Sequence, residues 1–278
     1  MPDVPIVQLN DGNAMPCVGL GLWRVLEQDT ESVVREAISA GYRSFDTAAF
    51  YGNEEGLGRG ICQVSIDRRN LFVTSKVWND RHGYDETMRA FDESMDRLEL
   101  DYIDLFLIHW PVAGSEKYVD TWKALVALRK QGRAKSIGVS NFLPCHVRRI
   151  IDDSGVVPAV NQIEYHPYFR QAELARTCAE LGILVEAWAP LGRGAAMEEP
   201  AITKLAAAYG KTPAQIILRW HLDQGRAAIP KTGNPARMRE NIDVFDFSLT
   251  AGEIATIDAI ATAKRHGGDP ETFTGLDL

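Results

Sequence analysis

Residues 103–139 read IDLFLIHWPVAGSEKYVDTWKALVALRKQGRAKSIGV. The stretch opens on an almost unbroken apolar run, Ile103 to His109, which is short for a helix and suits a strand covered on both faces. Then comes YVDTWKALVALRKQG, where Tyr118, Trp122, Leu125 and Leu128 recur at spacings of three and four along one helical face. Gly132 follows, as helix C-termini prefer. A second apolar run, Lys135 to Val139, begins at once. Strand, helix and strand without a tight hairpin turn require a crossover, and a crossover makes the two strands parallel.

The same alternation extends in both directions. Strands are expected at Tyr42 to Asp46, Leu71 to Val77, Ala159 to Ile163, Ile183 to Ala187, Ala227 to Pro230 and Ile242 to Phe245. Between them lie helical patterns such as ESVVREAISAG, DETMRAFDESMDRLEL, QAELARTCAELG and TPAQIILRWHLDQG. Such a chain folds either as a doubly wound open sheet or as a closed (β/α)8 barrel. Eight repeats within 278 residues favour the barrel. No G-x-G-x-x-G follows the first strand to announce a dinucleotide-binding open sheet, and GLGRG at Gly56 to Gly60 has the wrong spacing and falls inside a helical pattern. The expectation is one α/β domain over 1–278, a TIM barrel, preceded by a hairpin of IVQL and MPCV around Asn10-Asp11-Gly12 that closes its bottom.

A net charge of -8 without a basic stripe argues against nucleic acid as a partner. No window approaches the roughly 18 uninterrupted apolar residues of a membrane span, and MPDVPIVQLNDG lacks the pattern of a secretory leader. A cytoplasmic protein is expected, and a monomer, since no hydrophobic stripe stands out. Cys17, Cys62, Cys145 and Cys178 form no CxxC, which suggests free thiols rather than a disulfide framework or zinc site.

In a barrel, function collects where strands end and their loops begin. Those positions hold Asp46 and Tyr51, Lys76 and Trp78, His109 and Trp110, Ser140 and Asn141, Gln162, Trp188, and Lys231. Singly, each has an ordinary structural explanation; four titratable groups at successive strand ends are harder to dismiss. A phenol is a poor acid at neutral pH, but a neighbouring ammonium stabilises its phenolate. Lys76 is therefore expected to lower the pKa of Tyr51, Asp46 to keep Lys76 charged, and a neutral His109 to hydrogen-bond a substrate oxygen. That set protonates a carbonyl oxygen that is gaining negative charge. The hydride must come from a cofactor.

IPKTGNPARMREN, residues 229–241, supplies Lys231, Thr232, Asn234, Arg237, Glu240 and Asn241 around a strand end and the first turn of a helix. Two cations, a hydroxyl and helix N-terminal amides suit a phosphate monoester such as the 2'-phosphate of NADPH. Trp188 offers a face for a nicotinamide, with Ser140, Asn141 and Gln162 for its carboxamide and Leu191 beside it. Two other readings remain open: a Schiff-base aldolase using Lys76, and an NADPH-binding sensor or subunit without catalysis. A metal hydrolase is disfavoured, because no H-x-H follows the first strand and His109 and His166 lack further ligands.

These motifs together resemble the aldo-keto reductases over essentially the whole chain. GYRSFDTAAFYGNEEGLG is similar to the family's first signature, KSIGVSNF to the second, NQIEYHP to the fifth-strand motif, and IPKT with Arg237 and Glu240-Asn241 to the third. KVW carries the matching Lys76 and IHWP the matching His109. The resemblance implies a barrel that binds extended NADPH and transfers its 4-pro-R hydride to a carbonyl carbon, with Tyr51 as proton donor. It also implies a substrate pocket of Trp23, Phe50, Trp78, His109 and Trp110, with the C-terminal tail from about Arg265 near the active site. Thr232 stands where serine is commoner, and GRGAAMEEP after Leu191 is short. TAAFYGNEEG, VWNDRHG and NIDVFDFSLT are most similar to bacterial 2,5-diketo-D-gluconate reductase-like members, which implies small dicarbonyls or diketo-sugar acids as substrates. Arg81 and His82 are expected to form a solvated loop, with a carboxylated substrate as the other possibility.

Overall fold

The computed structural model describes residues 4–275; positions 276–278 of the expected C-terminal tail lie outside the described residues. Two short strands, β1 (Ile6–Gln8) and β2 (Ala14–Pro16), pair antiparallel as the expected hairpin. Eight parallel strands follow in spatial order equal to chain order: β3 (Leu20–Gly21), β4 (Ser44–Asp46), β5 (Phe72–Val77), β6 (Ile103–Ile108), β7 (Ala134–Ser140), β8 (Val160–Glu164), β9 (Leu184–Trp188) and β10 (Ala227–Ala228). The sheet closes on itself, because Val18 bridges Ala228 in parallel and Gly19 N donates to Ala228 O at 3.0 Å. The helices α1 (Glu27–Ala40), α2 (Glu54–Cys62), α3 (Tyr84–Leu98), α4 (Lys117–Lys130), α5 (Pro144–Ser154), α6 (Ala172–Glu180), α7 (Pro200–Tyr209), α8 (Pro213–Asp223) and α9 (Pro235–Ile242) supply the crossovers and outer layer, and α10 (Ala251–Asp258) follows.

One expected strand is corrected. Ile242 ends α9, and 243–245 form no strand; the eighth barrel strand is Leu20–Gly21 instead. Met238 and Ile242 are buried one helical turn apart, so the apolar residues that suggested a strand serve the inner face of α9. A two-residue strand carries no period for a sequence pattern to reveal.

The strand β6 explains why its sequence reads as one apolar run. Leu105 and Leu107 point into the barrel with Met15, Phe72 and Val160, while Phe106 and Ile108 pack among the residues that face the helices. Leu9 and Met15 carry the hairpin into that inner cluster, and Asn13 Nδ2 donates to Lys135 O at 3.0 Å, so β1 and β2 plug the end where strands begin. The opposite end is left to polar side chains.

Outside the barrel, α2 lies against the end of α3 so closely that a Cβ on Gly58 would sit 2.3 Å from Leu98 O. Leu98 O is backbone and cannot swing aside. Gly58→Ala is therefore expected to destabilise the protein by about 1–3 kcal/mol through overpacking. Thermal denaturation checks this, and an unchanged midpoint would contradict the helix contact.

Candidate active site

At the C-terminal end of the strands a cavity of about 560 Å³ opens. Asp46 ends β4 and Lys76 lies near the end of β5, both buried. Lys76 Nζ donates to Asp46 Oδ1 at 2.6 Å and to Thr47 O at 2.9 Å, and lies 3.4 Å from Tyr51 Oη. Tyr51 closes a short turn, Ala49–Tyr51, that the left-handed Gly52 terminates. That turn brings the phenol back over the strand end that carries Asp46.

Burial is the largest influence on Lys76 and pulls its ammonium down, yet Asp46, Tyr51 and Glu186 together raise it above the ordinary lysine value. A charged, fully enclosed amine is a poor Schiff-base nucleophile, which weighs against the aldolase. Tyr51 departs from expectation. Burial pushes its phenol up to about 12; Lys76 opposes that, and Asp46 and Glu186 add to it. The ammonium moderates the rise rather than producing a net fall, because desolvation of a phenolate outweighs one compensated cation. Tyr51 thus holds its proton throughout the neutral range.

His109 lies edge-on to Tyr51 at 5.5 Å and to Trp78 at 4.9 Å between ring centroids. Burial, with Lys76 and His82 adding to it, holds its imidazole well below the usual value, so it is neutral and can donate one hydrogen bond. Phe50 stacks on Trp78 at 3.8 Å and on Trp23 at 5.8 Å, giving the cavity an aromatic wall. Trp110 packs against Phe273 of the tail, ring centroids 4.3 Å apart and planes tilted by 47°. The tail is fastened by Glu164, which accepts from His266 N at 2.5 Å and Gly267 N at 2.9 Å.

The expected cofactor residues divide into two groups. Ser140, Asn141, Gln162, Trp188, Leu191, Lys231 and Arg237 line the cavity, whereas Thr232, Asn234, Glu240 and Asn241 do not. Asn141, left-handed at φ 62°, donates to His109 O at 3.0 Å and accepts from Trp188 Nε1 at 2.9 Å. It thereby fixes the indole edge. The side chain of Asn234 accepts from Ala236 N and Arg237 N, so the amides expected to greet a phosphate are already capped within α9. Glu240 accepts from Thr212 Oγ1 at 2.7 Å.

Several lining residues were not anticipated. Arg24 and Arg193 join Lys231 and Arg237 at the cavity, and none of the four makes an ion pair among the described residues. Arg24 directly follows Trp23, an expected pocket residue, and that adjacency was its legible signal. Arg81, by contrast, makes solvent-exposed ion pairs with Glu86 and Glu93, as the expected solvated loop allows, whereas His82 is buried with no partner for either nitrogen among the described residues; neither lines the cavity.

Residues 17–262 match the model of the Aldo/keto reductase family. The chain belongs to that family. An aldo-keto reductase of Mycobacterium sp. (strain JLS) is 52% identical over 269 residues, covering 97% of this chain and 98% of the relative. Methylglyoxal reductase DkgA of Escherichia coli (strain K12) is 45% identical over 277 residues, covering 99% of this chain and 100% of the relative. Among solved structures, a Gox0644 mutant in complex with NADPH superposes with a TM-score of 0.94 at 46% identity, covering 98% of this chain and 99% of that one. As an aldo-keto reductase the chain is an oxidoreductase, and its (β/α)8 barrel is the architecture of these structural neighbours. No helix among the described residues is long and apolar enough to cross a membrane.

Proposed function

We propose that this chain reduces small aldehydes and ketones, dicarbonyls among them, to alcohols with NADPH, and that Tyr51 is the proton donor. The observation that carries the reading is the buried Asp46–Lys76 pair set against the Tyr51 hydroxyl, facing an aromatic cavity. The cavity also fits the cofactor chemically. Arg24, Arg193, Lys231 and Arg237 offer phosphates four cations that make no ion pair among the described residues, and Trp188 and the Gln162 carbonyl oxygen offer a flat face and an acceptor for the nicotinamide end. NADPH, when bound, supplies the hydride.

The chain does the rest. His109, neutral and at the aromatic wall, orients the carbonyl oxygen by a hydrogen bond. Tyr51 gives that oxygen its proton, and the Lys76 ammonium stabilises the phenolate left behind. Asp46 and Thr47 O hold Lys76 where it can do so. Trp23, Phe50, Trp78 and Trp110 exclude water and select by shape. The kinship with methylglyoxal reductase DkgA favours 2-oxoaldehydes, and the motif resemblance to 2,5-diketo-D-gluconate reductase-like members adds diketo-sugar acids.

NADPH consumption with a panel of dicarbonyls, aromatic aldehydes and keto-sugar acids tests this directly; no turnover with any of them would refute it. The phosphate assignment has its own test. Lys231→Ala and Arg237→Ala should each weaken NADPH binding by about 10-fold or more, as expected for a lost charge-assisted hydrogen bond, and leave NADH affinity nearly unchanged. Equal losses for both nucleotides would remove the 2'-phosphate from these side chains.

A further inference from the structure

Glu186 is a buried carboxylate that this reaction does not use. An acid inside ILVEAWAP is costly unless partnered. Its neighbours Val185 and Ala187 pack among the residues facing the helices, so β9 turns Glu186 into the barrel, in register with Gln162 of β8. There Gln162 Nε2 donates to Glu186 Oε2 and to Asp46 Oδ2, each at 2.7 Å. Both hydrogens of one amide are spent on two carboxylates, whose oxygens are therefore at most twice that distance apart. Asp46 has its cation in Lys76; Glu186 has no ion pair among the described residues. Two carboxylates and one ammonium leave one excess negative charge in a buried cluster, and a proton on Glu186 removes it.

The groups facing Glu186 are few. Asp46 comes from β4 and Lys76 from β5, Tyr51 from the turn after β4 feels the Glu186 charge, and Gln162 of β8 donates to Glu186; β6 leads into neutral His109, β7 ends in Ser140, and neighbouring β10 holds only Ala227 and Ala228. On the outer side, α6 packs its Leu174, Thr177 and Cys178 inward and leaves Glu173, Arg176 and Glu180 exposed.

We propose that Glu186 is a positioning residue that acts through Gln162, Asp46 and Lys76 on the acidity of Tyr51: protonated, it strengthens Tyr51 as a donor, and ionised, it weakens it. The reason is electrostatic. A second negative charge in the cluster opposes formation of a phenolate at Tyr51, and Glu186 raises both Tyr51 and Lys76. Burial pushes the Glu186 carboxyl up to about 7, Asp46 adds to that rise, and Gln162 and Lys76 pull it back. The change of charge thus falls in the neutral range, far below the loss of the Tyr51 proton itself. The inference rests on the reading of Tyr51 as donor.

The test is the single-turnover rate of NADPH consumption with the full chain in excess, measured against pH for the wild type, Glu186→Gln and a second neutral variant, Glu186→Met. The wild-type rate should fall about 3- to 10-fold as pH rises through neutrality, the size expected of one charge acting across several ångströms on a half-transferred proton. Glu186→Gln should lose that step and keep at least the acid-side rate. In NMR of protein carrying isotopically labelled glutamate carboxyl carbons, one signal should titrate near neutrality and vanish in the variant. The proposal is overturned if both variants keep the wild-type step, if no glutamate titrates there, or if Glu186→Gln loses rate equally at every pH. Tyr51→Phe separates the two readings. Retained turnover in Tyr51→Phe defeats the donor assignment itself, whereas lost turnover beside an unchanged Glu186→Gln profile defeats only the role of Glu186.

Discussion

Tyr51→Phe is expected to lower carbonyl-dependent NADPH consumption by about 10²- to 10⁴-fold, the range for losing a positioned general acid, while NADPH binding stays nearly intact. The substitution removes one hydroxyl, 3.4 Å from Lys76 Nζ, and keeps the ring whose centroid lies 4.9 Å from Trp23 and 5.5 Å from His109. The cavity wall therefore survives and only the proton is lost. Fluorescence titration with NADPH, beside steady-state turnover on a reactive dicarbonyl, separates binding from chemistry. Turnover within a few-fold of wild type would end the role of Tyr51 as donor. Because the Tyr51 phenol is raised to about 12, the wild-type enzyme should also show no loss of reduction from deprotonation of Tyr51 anywhere in the neutral range.

Lys76→Met is expected to cost about 3–5 kcal/mol of stability, as breaking a buried ion pair from one side does. Methionine nearly replaces the volume of the side chain, which is fully enclosed, but leaves Asp46 and Glu186 sharing the Gln162 amide with no cation between them. The pH dependence follows from the direction of the Lys76 shift. Its folded value lies above the ordinary lysine value, so the stabilisation is fully present below the unfolded lysine pKa and fades only as pH rises through the folded value. The gap between wild type and variant should accordingly persist across the neutral range and narrow only in strong alkali. Chemical denaturation at neutral and alkaline pH measures it. A difference under about 1 kcal/mol at neutral pH, the scale of an exposed pair, would mean that Lys76 is not the cation that compensates these carboxylates.

The two variants probe opposite sides of one arrangement. Lys76 makes the barrel interior tolerable for Asp46, and in the proposed mechanism the same ammonium stabilises the charge that Tyr51 develops. On that reading stability and chemistry are coupled through Lys76, whereas Tyr51, at the cavity surface, bears on chemistry alone.

The sequence by itself determined the alternation of strand and helix, the barrel, and the residues gathered at its open end, because each depends on local periodicity or on position at a strand end. Ile103 to His109 and the helix after it could be read without a partner, since burial on both faces leaves an apolar run and burial on one face leaves spacings of three and four. Asp46, Lys76 and His109 stood at strand ends, with Tyr51 in the loop after Asp46, for the same reason. What only the tertiary structure decided depends on closure. Leu20–Gly21 became a barrel strand because Val18 and Gly19 meet Ala228 across the seam. The capping of Ala236 N and Arg237 N by Asn234 and the fastening of the tail by Glu164 likewise rest on atoms that no spacing records. Gln162 reaches Asp46 across 116 residues of chain and joins it to Glu186, a contact that a ring of strands creates and a linear pattern does not show. The acidity of Tyr51 was beyond the sequence for a physical reason: Lys76 and the pull it exerts were visible, but the larger opposing effect is desolvation, and desolvation exists only once the barrel has closed around the phenol.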